Sequence, residues 1–280
     1  MIVSAVCPPS QRAVETQTVT LAGGGTHSLG QPLRYAWQVE LGPPGGRDPM
    51  QSLSNANAPT ASLRLDAAGT WRLRLTVSDA AGRSGSCVTV VEADPAIDLV
   101  CPADQSRYQS DVAELTGRAT SRLGRILDYR WTVTNRPPGS TGTPTPSTGT
   151  LTTRLLCDAL GDYSVQLMAR DTAGLARSCT ANVHVDPDVL VTCPADLTSV
   201  PFASVSLAGT AMSRLGLPLT YAWTTERRPT TSTASLTNAS ARTAGFTFDV
   251  AGDWVWRFTA TNSRGNRASC TTRAFSRGDE

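Results

Sequence analysis

The stretch from Trp71 to Val77, WRLRLTV, alternates apolar and polar residues along its length. Successive side chains of an extended strand point to opposite faces, so these residues divide into an apolar and a charged set. The apolar set is Trp71, Leu73, Leu75 and Val77, and the charged set is Arg72 and Arg74. One apolar and one wet face are typical of an antiparallel sheet that covers a core on one side.

The residues around this strand recur twice along the chain, with a period of about 92 residues. DAAGTW at 66–71 has the counterparts DALGDY at 158–163 and DVAGDW at 249–254. The triplets YAW, YRW and YAW end at Trp37, Trp131 and Trp223. The chain is therefore a threefold repeat of one pattern. We predict three domains, at 1–94, 95–186 and 187–280.

Each repeat contains short alternating runs separated by clusters of Gly, Pro, Asn, Asp and Ser. In repeat one the runs include TVTLAG, LRYAWQV, WRLRLTVSD and SCVTVVE, and helical periodicity is nowhere sustained. About seven strands in a domain of this size predict an all-β fold of three tandem β-sandwiches.

Composition excludes several classes of function. The 280 residues carry 25 basic and 23 acidic side chains, a net charge of +2, which disfavours a nucleic-acid partner. No run approaches the ~20 apolar residues of a membrane span, and the N-terminus lacks the pattern of a signal peptide. If the chain is exported, we expect its signal sequence to lie outside these residues.

Six of the seven cysteines stand near the two ends of the repeats. The spacing fits three disulfides between first and last strands: Cys7–Cys87, Cys101–Cys179 and Cys193–Cys270. Zinc ligation is the competing interpretation, but each repeat offers two cysteines, and the chain has two histidines and no Cys-x-x-Cys spacing. Disulfides predict an oxidising compartment.

Cys157 has no partner in this scheme. Counting back from the repeated glycine aligns it with Leu65 and Phe248, which are inward positions of a strand. We predict a buried free thiol that packs as a small hydrophobe. The alternative is an exposed thiol that forms a covalent link to a partner.

Several of these motifs together resemble the polycystic kidney disease (PKD) repeat and its bacterial PKD-like relatives, which belong to the immunoglobulin-like class. The resemblance rests on the Tyr-x-Trp strand, the D-x-x-G-x-aromatic corner, and the segments WTVTNRPPGS (131–140) and WTTERRPTTS (223–232). The resemblance occurs once in each of the three repeats and together covers nearly the whole chain. It implies extracellular or cell-surface modules that bear load, space other domains or adhere. Many relatives carry an acidic loop before the Tyr-x-Trp strand whose carboxylates suit a hard cation such as Ca²⁺, but the loops here read HSLG, SRLG and SRLG and lack those carboxylates.

Most of the tryptophans occupy repeated stations. The predicted core aromatic residues are Trp37, Trp131 and Trp223 in the middle strand, with Trp71, Tyr163 and Trp254 at the corner. Trp256 replaces Leu73 and Val165 and is also expected to point inward. The alternative, an exposed aromatic platform for sugar rings, would need one of these side chains on the surface.

The repeats are joined by short segments centred on Asp94-Pro95 and Asp186-Pro187, with strand-like residues on both sides. Two or three free residues around a proline restrict bending, so we predict a semi-rigid rod. Calcium has weak candidate ligands near these segments: Asp94, Asp98, Asp186 and Asp188. The alternative interpretation is that they are solvated turn acids.

Arginines cluster in the loops around the Tyr-x-Trp strands of repeats two and three. The candidates that could face a ligand are Arg122, Arg125, Arg214, Arg227 and Arg228, with Arg130 and Arg136 nearby. An acidic polysaccharide is one candidate ligand. A solvated surface balanced by acids elsewhere is the other interpretation.

No catalytic residues are predicted. Two histidines make a general base scarce, and no nucleophile elbow, phosphate-binding glycine loop or His-Glu-x-x-His motif occurs. We predict a non-enzymatic extracellular or cell-surface array with a structural or adhesive role, whose partners are proteins, polysaccharides or further copies of itself. The alternatives are a spacer or accessory region of a larger secreted enzyme, including a glycan-binding one, and a filament-forming subunit.

Overall fold

The computed structural model describes residues 2–46 and 49–278. Within them, every regular element is a β-strand except one four-residue helix, α1 (Pro49–Ser52). The all-β fold of tandem β-sandwiches predicted from the alternation is confirmed. No helix in the described part of the chain is long and apolar enough to span a membrane. Met1 and residues 279–280, at the outer ends of the first and third predicted domains, lie outside the described residues.

Repeat one contains nine strands among its described residues. They are β1 (Val3–Val6), β2 (Gln11–Val14), β3 (Thr18–Ala22), β4 (Gly24–His27), β5 (Arg34–Leu41), β6 (Leu53–Ser54), β7 (Thr60–Arg64), β8 (Gly69–Ser78) and β9 (Ser84–Asp94).

Repeats two and three have the same order without the short sixth strand. Repeat two has β10 (Ile97–Val100), β11 (Gln105–Tyr108), β12 (Val112–Thr116), β13 (Arg118–Ser121), β14 (Leu127–Asn135), β15 (Thr152–Leu156), β16 (Gly161–Asp171) and β17 (Ala176–Asp186). Repeat three has β18 (Val189–Thr192), β19 (Leu197–Ser199), β20 (Ser204–Ala208), β21 (Thr210–Ser213), β22 (Leu219–Arg227), β23 (Thr243–Thr247), β24 (Gly252–Asn262) and β25 (Arg267–Ser276).

Each repeat builds the two layers of its sandwich in the same way. One layer of repeat one is a four-stranded sheet in the order β2-β9-β8-β5, with β2 parallel to β9. The other layer pairs β1 with β4 and orders the remaining strands β3-β7-β6. The four-stranded sheets of the other repeats are β11-β17-β16-β14 and β19-β25-β24-β22.

The strand count exceeds the predicted seven because two strands of each sandwich are interrupted. In repeat one, Cys7-Pro8-Pro9 separates β1 from β2, which pair with different layers. Gly23 separates β3 from β4, and a Cβ atom there would lie 2.5 Å from the Trp37 ring and 2.6 Å from Leu75. Only glycine lets the backbone approach that ring so closely.

The alternation in WRLRLTV is the structural alternation of β8. Trp71, Leu73 and Leu75 are fully buried between the layers, while Arg72 on the same strand is exposed. Burying one such side chain stabilises the fold by about 1.5–3 kcal/mol. In repeat three the equivalent strand, β24, buries Trp254, Trp256 and Phe258. The core of each sandwich therefore lies on the apolar face that the sequence marks.

By compactness the chain divides into two units. The first comprises Met1–Val100, Arg118–Tyr129 and Met168–Ser178, and the second comprises Cys101–Gly117, Arg130–Leu167 and Cys179–Glu280. The division passes through repeat two, so the three domain boundaries drawn from the sequence stay a prediction. The segment that joins repeats one and two lies inside the first unit, and the segment that joins repeats two and three lies inside the second.

Candidate functional site: disulfides and junctions

Each repeat contains one disulfide at the same place in its fold. Cys7, in the connection between β1 and β2, is bonded to Cys87 on β9. Cys101 is bonded to Cys179, and Cys193 to Cys270, at the corresponding positions. These are the three pairs predicted from spacing. Each bond ties the start of a sandwich to its last strand.

The loops closed by these bonds are long, with sequence separations of 80, 78 and 77 residues. In the chain-entropy model a loop of this length stabilises the folded state by about 4.5 kcal/mol, because the bond restricts the unfolded chain. A sandwich of fewer than 100 residues has a modest core, so this contribution is a large part of its stability.

Cys157 is a buried free thiol, fully shielded from solvent at the end of β15. Burial raises the pKa of this thiol to about 11. The nucleophilic form of cysteine is the thiolate, so a buried thiol with this pKa is inert near neutral pH. The structure therefore places Cys157 in the core of repeat two rather than on its surface.

The six core aromatic stations all lie inside the sandwiches. Trp37, Trp131 and Trp223 are at most 4% exposed, and the corner residues Trp71, Tyr163 and Trp254 are fully buried. Trp256 is fully buried as well. A sugar-binding platform needs an exposed ring face, and none of these seven rings offers one.

The aspartate of the corner motif has a partner that the sequence analysis missed. Asp158 accepts hydrogen bonds from Ser140 Oγ at 2.5 Å, from the Tyr163 hydroxyl at 2.7 Å and from Thr141 N at 2.7 Å. Burial opposes the charged carboxylate, but these hydrogen bonds hold the pKa of Asp158 below its ordinary value. Asp249 and Ser232 repeat the contact in repeat three, at 2.7 Å. The serine that ends RPPGS and RPTTS was the available signal.

The connections between repeats are two residues long. Strand β9 ends at Asp94 and β10 begins at Ile97, and β17 ends at Asp186 and β18 begins at Val189. The residues that follow the two prolines, Ala96 and Asp188, are buried. Strand pairing therefore resumes almost at once after each proline.

At junction one, between repeats one and two, a buried carboxylate joins the repeats. Glu15, in the turn after β2, is 1% exposed and accepts a hydrogen bond from Ala96 N at 2.8 Å. Its other oxygen lies 2.5 Å from Arg177 Nη2 at the start of β17. A buried carboxylate bonded to a guanidinium and to a backbone amide fixes both segments in one geometry.

At junction two, between repeats two and three, the equivalent turn of repeat two makes contacts without a carboxylate. Asn266 accepts a hydrogen bond from Ser110 Oγ at 2.9 Å and donates one to Gln109 O at 3.0 Å. Arg264 donates to the carbonyl of Ser110, and the Arg214 guanidinium lies 5.1 Å from the centre of the Tyr108 ring. In repeats one and two, the turn after the second strand thus contacts the repeat that follows.

The four aspartates considered for calcium are engaged by other groups. Asp94 lies 2.6 Å from Arg12 Nη2, and Asp98 lies 2.9 Å from Arg122 Nε. Asp186 lies 3.5 Å from His184 Nε2. Asp188 is fully buried and accepts hydrogen bonds from repeat three, including one from Asn262 Nδ2 at 2.6 Å. Among the described residues, no three His, Cys, Asp or Glu side chains form a group that could hold a metal ion.

The candidate arginines do not form one free basic surface. Arg122 pairs with Asp98, and Arg125 lies 2.9 Å from the buried Asp171. Arg214 stacks on Tyr108, as described above. Arg227 and Arg228 are exposed, and Arg227 lines an open groove of about 580 Å³ on the outer sheet face of repeat three. The other residues of that groove include Asp196, Asp253, Arg273 and Phe275. Its charges are mixed rather than uniformly basic.

No family model matches the chain. The chain is 25% identical over 276 residues to the mouse dyslexia-associated protein KIAA0319-like protein. The alignment covers 93% of this chain and 25% of the relative. It is 24% identical over 249 residues to the human dyslexia-associated protein KIAA0319, covering 85% of this chain and 22% of the relative. The chain thus spans about a quarter of the length of these curated relatives. Both are mammalian, so they do not support the bacterial origin that the resemblance implied.

Tandem immunoglobulin-like structures align with most of the chain. Extracellular domains 3–5 of Drosophila OTK align with 98% of this chain and 97% of their own, at 12% identity and a TM-score of 0.31.

Proposed function

We propose that this chain is a non-enzymatic extracellular array that bears load along its length and presents surfaces to protein partners. The observation that carries the proposal is the position of the disulfides. A pulling force that enters a repeat at its first strand reaches Cys7 at once and leaves through Cys87 on the last strand. The covalent bond therefore lies directly in the path of the force.

As a consequence, the disulfide protects a long segment of each repeat from being extended by force. The loop from Cys7 to Cys87 has a sequence separation of 80 residues. Fully extended, such a loop is about 270 Å long. While the bond is intact this length cannot be pulled out, so the array resists extension even when a sandwich loses its tertiary structure. Three disulfides also favour an extracellular or cell-surface location, because such bonds persist in oxidising compartments.

Single-molecule force spectroscopy on the whole chain, held by its ends, tests the load-bearing role. We expect the oxidised chain to release no steps near 270 Å, and the reduced chain to release three. The matched control is the Cys7→Ser and Cys87→Ser double variant, which should release one long step while the other two repeats remain short. Long steps from the oxidised wild-type chain would contradict the proposal.

The adhesive part of the proposal needs its own measurement. Beads coated with the chain are allowed to attach to a cell surface that has been treated with protease or with glycosidases. Loss of attachment after protease supports a protein partner. Loss after glycosidase supports a polysaccharide bound by exposed arginines such as Arg227 and Arg228. Absence of any attachment would contradict an adhesive role and favour the alternative, a spacer of a larger secreted enzyme. The semi-rigid rod stays a prediction, which small-angle scattering tests.

A further inference from the structure

Asn238-Ala239-Ser240 is the one Asn-x-Ser/Thr tripeptide of the sequence. Where the middle residue is not proline, this pattern is the acceptor motif for N-linked glycosylation, which takes place on surface loops of secreted proteins. Asn238 and Ser240 are both exposed in repeat three, in the segment that connects β22 to β23. The motif therefore lies on the kind of surface that its chemistry requires.

The same turn occurs in repeat one, where the motif is incomplete. Asn238 and Asn55 both have positive φ, 52° and 56°. In each turn the amide three residues later donates to the asparagine carbonyl, at 2.9 Å and 3.0 Å. Asparagine tolerates positive φ better than most residues, so the turn itself explains both asparagines. Two positions later the residue is Ser240 in repeat three but Asn57 in repeat one, so the turn does not require the serine.

The turn lies on the long side of the sandwich, away from the two ends of repeat three. Ala239 O accepts a hydrogen bond from Trp223 N at 2.7 Å, in the middle of the edge strand β22. Thr237 pairs with Gly245 on β23, in the other layer. The turn thus closes the side on which the edge strands of the two layers meet, and its exposure does not depend on what adjoins either end of the repeat.

The two side chains of the motif are not engaged by other groups. Among the described residues, the Asn238 amide and the Ser240 hydroxyl have no hydrogen-bond partner. Ser232, earlier in the same segment, instead donates to Asp249 at 2.7 Å. The Asn238 nitrogen can therefore be modified without breaking a contact of the fold.

We propose that Asn238 is an acceptor for N-linked glycosylation, with the oligosaccharide supplied as a polyprenyl pyrophosphate donor. Asn238 Nδ2 forms a bond to the anomeric carbon of the sugar, the bond from that carbon to the pyrophosphate breaks, and one amide proton is released without any change of oxidation state. The Ser240 hydroxyl is the second part of the motif that the transferase requires. The proposal rests on the extracellular location in the proposed function, because the transfer belongs to the export pathway.

A glycan at this position would shield a vulnerable side of repeat three. Edge strands present unpaired backbone groups that can pair with the strands of another chain. The turn satisfies one such group of β22, the amide of Trp223. A bulky, hydrated oligosaccharide on Asn238 would keep the strands of a second molecule away from the same side.

Mass spectrometry of the whole chain, secreted from cultured eukaryotic cells behind an added signal peptide, tests the proposal. We expect one glycan on the wild type, at Asn238, and none on Ser240→Ala, which removes only an exposed hydroxyl. The matched control is Asn57→Ser, which completes the motif on the equivalent turn of repeat one and should carry two glycans. A peptide amidase specific for N-linked glycans should release the sugar from the folded chain without denaturant, because the turn is exposed.

A secreted wild type with three disulfides and no glycan on Asn238 would overturn the proposal and leave the extracellular location standing. A glycan on Asn55 of the Asn57→Ser variant, without one on Asn238, would overturn it as well. A glycan that is released only after denaturation would contradict the exposed position of the turn. A chain that is retained in the cell without its disulfides would contradict both the proposal and the extracellular location on which it rests.

Discussion

The two junctions perform the same task with different chemistry. At junction one the turn after the second strand of repeat one (residues 14–17, here called its tail turn) inserts the buried carboxylate of Glu15 between Ala96 N and Arg177. At junction two the corresponding tail turn of repeat two (residues 108–111) offers Ser110 and the carbonyl of Gln109 to the side-chain amide of Asn266. The backbone shape of the turn is therefore the constant feature, and the side chains that exploit it vary.

The residue after each linker proline explains part of this difference. Ala96 carries no charge, and its amide is free to bond Glu15 from the preceding repeat. Asp188 brings its own buried carboxylate, which is bonded inside repeat three by Ser213 Oγ at 2.9 Å and by Asn262 Nδ2 at 2.6 Å. A second carboxylate entering from repeat two would meet like charge at low dielectric, so a neutral contact is favoured there.

The same electrostatic reasoning explains which residue begins the turn between the last two strands of each repeat. Repeats one and two have Asp79 and Asp171 at the position that Asn262 holds in repeat three. Burial opposes the charge of Asp171, but the Arg125 guanidinium holds the pKa of that carboxyl below its usual value. In repeat three the neighbour is Asp188 rather than an arginine, and an amide donates where a carboxylate would repel.

The largest expected effect is that of Glu15→Ala at junction one. It leaves Arg177 and Ala96 N without their buried acceptor, and removing one partner of a buried ion pair costs about 3 kcal/mol. Denaturant unfolding of the oxidised chain, followed by tryptophan fluorescence, measures the change. The control is Glu114→Ala, which removes an exposed partner of Arg154 and should change stability by less than about 1 kcal/mol. Equal effects of the two substitutions would contradict the assignment.

Asn262→Asp should disrupt the buried contact between residues 262 and 188 in repeat three. It places two carboxylates in a buried contact that now measures 2.6 Å between amide nitrogen and carboxylate oxygen. We expect a loss of about 2 kcal/mol at pH 7. The loss should shrink at acidic pH, because protonating one carboxyl restores a hydrogen bond. The double variant Asp188→Asn with Asn262→Asp provides the control, since it keeps one charge in the pair. A loss independent of pH would refute the electrostatic explanation.

Asn266→Ala should have an effect of similar size, confined to junction two. It removes two hydrogen bonds across the junction, each with a net value of about 1 kcal/mol. Hydrogen exchange by mass spectrometry should show faster exchange in residues 108–111, with no change at residues 14–17. Unchanged exchange at the tail turn of repeat two would mean that Asn266 does not hold it.

The smallest effect concerns pH at the two Asp-Pro segments. The Arg12 guanidinium lowers the pKa of Asp94, so that contact is present above the ordinary aspartate pKa and is lost only as the pH falls through the lowered one. The hydrogen bond that His184 donates to Asp162 raises the pKa of His184, which also faces Asp186. The histidine contact is therefore complete below the ordinary histidine pKa and is lost as the pH rises through the raised one. An NMR titration from pH 5 to pH 9 should move signals around His184 and Asp186 and leave those around Asp94 unchanged, and the reverse would contradict both assignments.

Much of the fold follows from local pattern. The alternation from Trp71 to Val77 is that of β8, and the repeated Tyr-x-Trp and D-x-x-G motifs mark positions that the structure buries or turns. These features can be predicted from the sequence because each depends on residues that are neighbours in sequence or on a pattern that repeats.

The junction contacts are not readable in this way. Glu15 and Arg177 are 162 positions apart and occupy positions where the repeats differ, so no periodicity links them. The sequence shows the charge of the acids near the linker prolines, but not the arginines and amides that face them.

The claim that the tail turns of repeats one and two restrain the repeat that follows is tested most directly by ¹⁵N relaxation of the oxidised chain. The account predicts one rotational correlation time for amides on the two sides of junction one, in β8 and β13, and one for amides on the two sides of junction two, in β12 and β24. Glu15→Ala should separate the first pair and leave the second pair unchanged. Wild-type amides that report a different correlation time on each side of a junction, each that of a single repeat, would contradict the account.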